Sequence, residues 1–302
     1  MRIYMLKLKD VSVAYKDKVV LDKLSLTAEK GEIIGLVAPN GTGKTTLFNV
    51  MANFLKPNNG VVVFNGKFGY KSEKNELYIR KQLATFPDQD DLFEELTGVD
   101  HMNLYGNMWK GTTKHVRNII KGLKMESYVK KKVKTYSLGM RQRLCFAMMA
   151  AADTPVMLMD EVMNGLDVAN VALISDYLMQ MKKEDKLIFV ASHLLENLDL
   201  YADRVLFLKD GTIVHQQHLK KSTKDYIKVE INPEQYKQVK QDYLLPDGHQ
   251  YIANYLCCIP LEQMDLQERT LWIERLLTYK GKELTIGPLG TMEYYEKYYH
   301  EE

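Results

Sequence analysis

Ala38-Pro39-Asn40-Gly41-Thr42-Gly43-Lys44-Thr45-Thr46 combine small residues, a lysine and hydroxyls at a spacing that suits a phosphate chain. The stretch fits the pattern G-x-x-x-x-G-K-[ST], with Ala38 in place of the first glycine. In such a loop successive backbone N–H groups wrap an anion, and the helix start adds the positive end of a dipole. Asn40, Gly41, Thr42 and Gly43 are expected to form the cradle. Lys44 is expected to bridge the β- and γ-phosphates, Thr45 to ligate Mg²⁺, and Thr46 to make a contact near the α-phosphate. Alanine tolerates positive φ poorly, so Ala38 predicts a looser loop.

A second group stands 116 residues beyond Lys44. Val156-Met157-Leu158-Met159 carry Asp160 and Glu161 to the C-terminal end of an apolar strand, where ligands sit in open α/β sheets. Asp160 is expected in the shell of a Mg²⁺ ion. Glu161 is placed to polarise an attacking water as general base.

Between these groups lies Tyr136-Ser137-Leu138-Gly139-Met140-Arg141-Gln142-Arg143-Leu144, a helix start capped by Ser137. In this order the motifs resemble the ATP-binding subunit of an ATP-binding-cassette (ABC) transporter, over roughly residues 3–217. The family signature Leu-Ser-Gly-Gly-Gln reads here Tyr136-Ser137-Leu138-Gly139-Met140. The resemblance implies that Ser137 and Gly139 meet the nucleotide of a second cassette, head to tail. It also implies that His193 contacts the γ-phosphate, that Gly165-Leu166-Asp167 communicates across the dimer, and that Tyr15 stacks on adenine. For the family's glutamine loop two residues compete. Asp88 holds the position by register with Phe86-Pro87, and Gln89 comes one later; an aspartate there can reach Mg²⁺ directly or through water. Leu92–Gly98 resembles the segment that faces the membrane partner.

The implied activity is ATP hydrolysis with Mg²⁺, coupled to transport. The implied partners are a transmembrane permease on a separate chain and a second ABC ATPase subunit, identical or different. The implied location is the cytoplasmic face of the cell membrane, peripheral through the permease. Leu138 and Met140 are departures familiar in bacterial peptide- and antibiotic-exporter ATPases, which favours export of a peptide, antibiotic or lipid-like compound.

The elements that must hold these residues are legible in outline. Residues 3–27 read as two strands around Tyr15-Lys16-Asp17-Lys18. Ile33–Val37 is a buried strand feeding the phosphate loop, and a helix is predicted from Lys44 to about Leu55. Residues 88–135 lean helical. A buried helix follows Ser137, a helix spans 168–182, a strand Leu187–Ala191, a short helix Leu194–Leu200, and a hairpin turns at Asp210-Gly211. Strands alternating with helices predict an α/β core with a parallel sheet. The resemblance implies that this core is a P-loop NTPase fold with N-terminal antiparallel strands and a helical subdomain at about 88–150. The cassette is expected over 1–220. Residues 221–302 read as a small α+β appendage, with strands at Ile227–Ile231 and Leu284–Ile286, helices at Pro233–Asp242 and Leu261–Leu277, and a Tyr- and Glu-rich end, Met292–Glu302.

Composition fits a soluble globular protein, with 46% apolar and 26% charged residues. A net charge of +2 offers no electrostatic case for nucleic acid, and none is expected as a partner. The basic run Lys130-Lys131-Lys132 with Lys134 reads as a solvated face or a membrane-proximal patch. Cys145, Cys257 and Cys258 lack metal-ligand or disulfide spacing, which fits a reducing compartment. No apolar leader precedes the first strand. The longest apolar run, Leu144–Ala152, is far short of the about 20 residues a span needs. A non-transport member acting in translation or DNA repair is the alternative. The 93 residues from Lys44 to Ser137 hold neither a heptad run nor a cysteine cluster, and the chain carries one cassette. A kinase or switch GTPase would leave the signature, Asp167 and His193 unexplained.

Overall fold

The computed structural model describes residues 5–16, 18–219, 224–279 and 283–300. Asp17 of the predicted first turn and Glu301-Glu302 of the predicted Tyr- and Glu-rich end lie outside them. The chain divides into two compact units, Met1–Gln216 and Gln217–Glu302.

The first unit runs β1 (Leu6–Tyr15), β2 (Lys18–Ala28), β3 (Ile33–Val37), α1 (Lys44–Met51), β4 (Asn59–Phe64), β5 (Phe68–Gly69), α2 (Glu73–Gln82), β6 (Leu83–Thr85), α3 (Gly98–Lys110) and α4 (Val116–Gly122). It continues α5 (Leu138–Ala152), β7 (Val156–Asp160), α6 (Val168–Lys183), β8 (Leu187–Ala191), α7 (Leu195–Tyr201) and β9 (Arg204–Lys209), and β10 (Thr212–His218) begins in it and ends two residues past the boundary. Two sheets result. One is antiparallel, in the order β2-β1-β4-β5; the other has six strands in the order β10-β9-β3-β8-β7-β6. In the second, β6, β7, β8, β3 and β9 pair in parallel. All five residues of both β3 and β8 are buried, as expected of parallel strands covered on both faces. The Arg204 guanidinium ties the two sheets together. From β9 it donates to Glu32 at 2.7 Å and to the Thr27 carbonyl of β2.

Several boundaries differ from the sequence reading. α1 stops at Met51, because Asn53 takes a left-handed φ of +58° and Phe54 turns out to solvent. α2 had no counterpart in that reading; its polar surface carries little apolar periodicity, and only Ile79 is buried. Over 88–150, α3 and α4 pack against α5.

The second unit runs β11 (Tyr226–Glu230), α8 (Pro233–Asp242), β12 (Gln250–Ile252), β13 (Leu256–Pro260), α9 (Leu266–Leu277), β14 (Leu284–Gly287) and α10 (Thr291–Tyr299). Its antiparallel sheet is ordered β12-β13-β11-β14, the split β-α-β-β-α-β arrangement of ferredoxin-like domains, with α10 added. α9 begins later than predicted, because Asp265 and Glu268 form a capping box there. Adjacent Cys257 and Cys258 lie on opposite faces of β13, in separate apolar clusters. Burial pushes both thiols up to about 12, so they are inert.

Gly60 of β4 has φ +88°, and an added Cβ would sit 2.4 Å from the Asp10 carbonyl oxygen at the bulge of β1. Gly60→Ala is expected to cost about 1–3 kcal/mol of stability. A urea midpoint equal to that of the parent would refute this crowding.

Candidate functional site

The parallel register builds the site. Leu36 of β3 and Asp160 of β7 both align with Ala191 of β8. The three strands therefore end in one row, and the loops that follow them begin side by side. Those loops lead to Lys44 and Thr45 at the start of α1 and carry Glu161 and His193.

The phosphate loop leaves β3 at Ala38. Ala38 is buried and its φ is not positive, so the predicted loosening does not occur. Gly41 and Gly43 take the left-handed turns, at φ +75° and +110°. At Gly43 a side chain would also press on Val20 at 3.0 Å. The first intrahelical bond of α1 runs from Leu47 N–H to the Gly43 carbonyl at 2.8 Å. The amides of Lys44, Thr45 and Thr46 are therefore without intrahelical acceptors, ready for an anion. Thr42 closes the loop through a 2.7 Å bond to the Pro39 carbonyl. Asn40 and Gly41 are exposed.

The Lys44 ammonium is buried and donates to the carbonyls of Ala38 at 2.6 Å and Pro39 at 3.2 Å. Burial lowers its pKa, while the charges of Asp160 and Glu161 oppose that shift. A triphosphate arriving here would replace two neutral acceptors by charged ones, which bind an ammonium more strongly.

Thr45 Oγ1 donates to Asp160 Oδ2 at 3.0 Å. One hydroxyl and one carboxylate side by side fit Mg²⁺, which keeps several waters and takes its remaining oxygens from a phosphate substrate. Thr45 and Asp160 would hold the ion, which supplies charge neutralisation on the phosphates. Burial raises the Asp160 pKa, and neighbouring Glu161 adds to this.

Glu161 sits at φ +53°, a left-handed backbone that costs a non-glycine residue about 1–3 kcal/mol. Its carboxylate meets His193 Nε2 at 2.9 Å through Oε1 and the Asn164 amide through Oε2. Its N–H donates to the Ala191 carbonyl at 2.9 Å. A cavity of about 400 Å³ opens in front of it, lined by Thr45, Asp160, Glu161, Asn164, Asp88 and Gln89 among others. Asp88 is exposed, and its carboxylate accepts the Asp90 N–H at 3.0 Å, capping a short 3₁₀ turn. Gln89 instead reaches inward and donates to Gln142. Sequence reasoning missed Asn164, and it quoted Gln142 only as part of the helix start after Ser137, without giving it a role.

The remaining predicted residues lie elsewhere. Ser137 caps α5 by accepting the Met140 N–H at 3.3 Å, and Asp167 caps α6 by accepting the Asn170 N–H at 2.8 Å. The two caps are neighbours, since a Cβ on Gly139 would stand 3.5 Å from the Gly165 carbonyl oxygen. Tyr15 is half exposed at the end of β1.

The model of the ABC transporter family matches residues 21–164. The chain is 33% identical to YhcH of Bacillus subtilis, an uncharacterized ABC transporter ATP-binding protein, over 71% of this chain and 70% of that protein. The chain belongs to the ABC transporter ATP-binding family. Its nucleotide is ATP, its metal Mg²⁺, and it is an ATPase. The cassette is also 25% identical to SrtF of Streptococcus pyogenes, a lantibiotic transport ATP-binding protein, over 70% of this chain and 89% of that one. Among solved structures it resembles cbiO1 of Clostridium perfringens, part of the transporter complex cbiONQ. The TM-score is 0.64 at 26% identity, covering 73% of this chain and 90% of that one.

The raised Asp160 pKa sets a stability test. An acid whose pKa rises on folding disfavours the fold where it is ionised, above the folded pKa; the penalty vanishes below the unfolded pKa. Asp160→Asn is therefore expected to raise the Tm of the nucleotide-free cassette at pH 7 and to lose that gain as pH falls through the carboxylate range. It should also abolish Mg²⁺-dependent turnover. A lower Tm at pH 7 would contradict the burial argument.

Proposed function

We propose that this cassette is the ATP-hydrolysing motor of a transporter whose permease is a separate chain, and that two cassettes close head to tail around two nucleotides. Glu161 acts as the general base, and His193 steadies it and reaches the γ-phosphate. Thr45 and Asp160 would hold Mg²⁺, with Asp88 able to reach it directly or through water. Ser137, Gly139 and Asp167 serve the nucleotide of the opposite cassette, and Tyr15 stacks on adenine. The cassette spans 1–220, with 221–302 as an accessory domain.

The observation that carries this reading is the face around the signature. Leu138 is 61% exposed and Val168 87% exposed, beside an α5 N-terminus whose capping hydroxyl faces solvent. Apolar groups and anion-binding amides set together on a surface suit a second subunit that brings a phosphate. A different surface suits the permease. Phe54, Leu77, Met108 and Trp109 line an apolar hollow of about 290 Å³, and Phe93 and Leu96 are exposed on the loop before α3. Among the described residues no helix is long and apolar enough to cross a membrane. The similarity to cbiO1, part of a larger complex, supports assembly with further chains.

We propose export of a peptide, antibiotic or lipid-like compound. Support comes from the departures at Leu138 and Met140 and from similarity to the lantibiotic cassette SrtF. The site at the membrane is the cytoplasmic face, reached through the permease.

Glu161→Gln is expected to cut turnover by about a hundredfold or more while keeping ATP binding. With Mg²⁺ and ATP it should elute as a stable dimer on size exclusion. Normal turnover would remove Glu161 as base, and a monomer with bound ATP would contradict the sandwich.

A further inference from the structure

Gln142 lies in α5 just ahead of the stretch Leu144–Ala152, whose residues are all buried and apolar. Gln142 is itself buried, at 2% exposure. Such an amide is costly unless both its ends are bonded. Here both are. Its Nε2 donates to the Glu161 carbonyl at 2.8 Å. A carbonyl can only accept, so this bond fixes the amide's orientation. Its Oε1 must then face Gln89, whose Nε2 donates to it. The result is a directed chain, Gln89 to Gln142 to the main chain of Glu161.

The three residues belong to three separate parts of the fold. Gln89 opens the 3₁₀ turn that leads to the exposed Phe93 and Leu96. Gln142 sits on the helix that begins at the signature. Glu161 is held in a left-handed conformation that its neighbours must enforce. The Gln142 bond is one of those restraints, and it grips the peptide that carries the carboxylate side chain.

We propose that Gln142 is a positioning residue, which holds the Glu161 peptide and makes its geometry answer to the position of Gln89. Movement of the 88–96 loop then changes the aim of the Glu161 carboxylate without touching the phosphate loop. This rests on the reading of Glu161 as the general base.

The test uses the purified full chain, with steady-state ATPase kinetics and ATP binding measured by calorimetry. Gln142→Leu and Gln89→Leu should each lower kcat by about tenfold or more while leaving the Kd for ATP within about twofold. Gln142→Glu still accepts from Gln89 but cannot donate to Glu161, and should resemble Gln142→Leu. The double variant Gln89→Leu/Gln142→Leu should be no worse than Gln142→Leu alone, since one chain broken twice is still one broken chain. Unchanged kcat in Gln142→Leu would overturn the proposal, as would multiplying losses in the double variant or a matching loss of ATP affinity. Gln89→Leu changes a partly exposed loop residue, so it reports even if Gln142→Leu fails to fold. Glu161→Gln separates the two readings. If it turns over normally, the base assignment falls; if it is inactive while Gln142→Leu and Gln89→Leu are fully active, only the positioning role falls.

Discussion

The register of three parallel strands is the constraint on which the site depends. β3, β8 and β7 end in one row because Leu36 and Asp160 both align with Ala191. A shift of one residue in either pairing would turn the last side chain of that strand to the other face of the sheet. Asp160 would then lose Thr45, and the ion-binding pair would not exist. Full burial of β3 and β8 on both faces helps resist such a shift, because their continuous apolar runs are packed on either side. The chemistry at the edge is thus positioned by apolar residues that take no part in it.

On that frame, charge and strain are concentrated where a nucleotide belongs. Lys44 is buried with only neutral carbonyls as acceptors, and Asp160 is half-buried next to another carboxylate. Glu161 occupies a backbone region that L-residues avoid. Each arrangement is unfavourable by itself, and a polyanion with its cation would relieve or use it. Function and stability pull in opposite directions at these positions, as is common at sites built for charged substrates.

What could be read from sequence follows from how local the physics is. The phosphate loop, the Asp160 strand end and the Ser137 cap were legible because each is a short stretch whose chemistry depends on its own neighbours. Pro233–Asp242 was legible because Asn232 and Gln235 cap it and Pro233 opens it. The Glu161–His193 contact and the Gln89–Gln142–Glu161 chain were not, because they join residues up to 72 positions apart through the sheet and α5. The concern over Ala38 failed for a related reason: whether that position needs positive φ is set by the turn, and here Gly41 and Gly43 take the left-handed turns. In the second unit, the short strands β12 and β13 and the late start of α9 hid the ferredoxin-like order.

The central claim is that ATP brings the signature of one cassette onto the phosphate loop of another. Asn40 and Leu138 are both exposed, and the three native cysteines are buried. The direct test is a chain carrying Asn40→Cys and Leu138→Cys with Glu161→Gln, oxidised mildly and run on a non-reducing gel, with each single-cysteine chain as control. The account predicts a covalent dimer that forms with Mg²⁺ and ATP and is absent without nucleotide and in both controls. No dimer with ATP, or the same yield without it, would contradict a head-to-tail nucleotide sandwich.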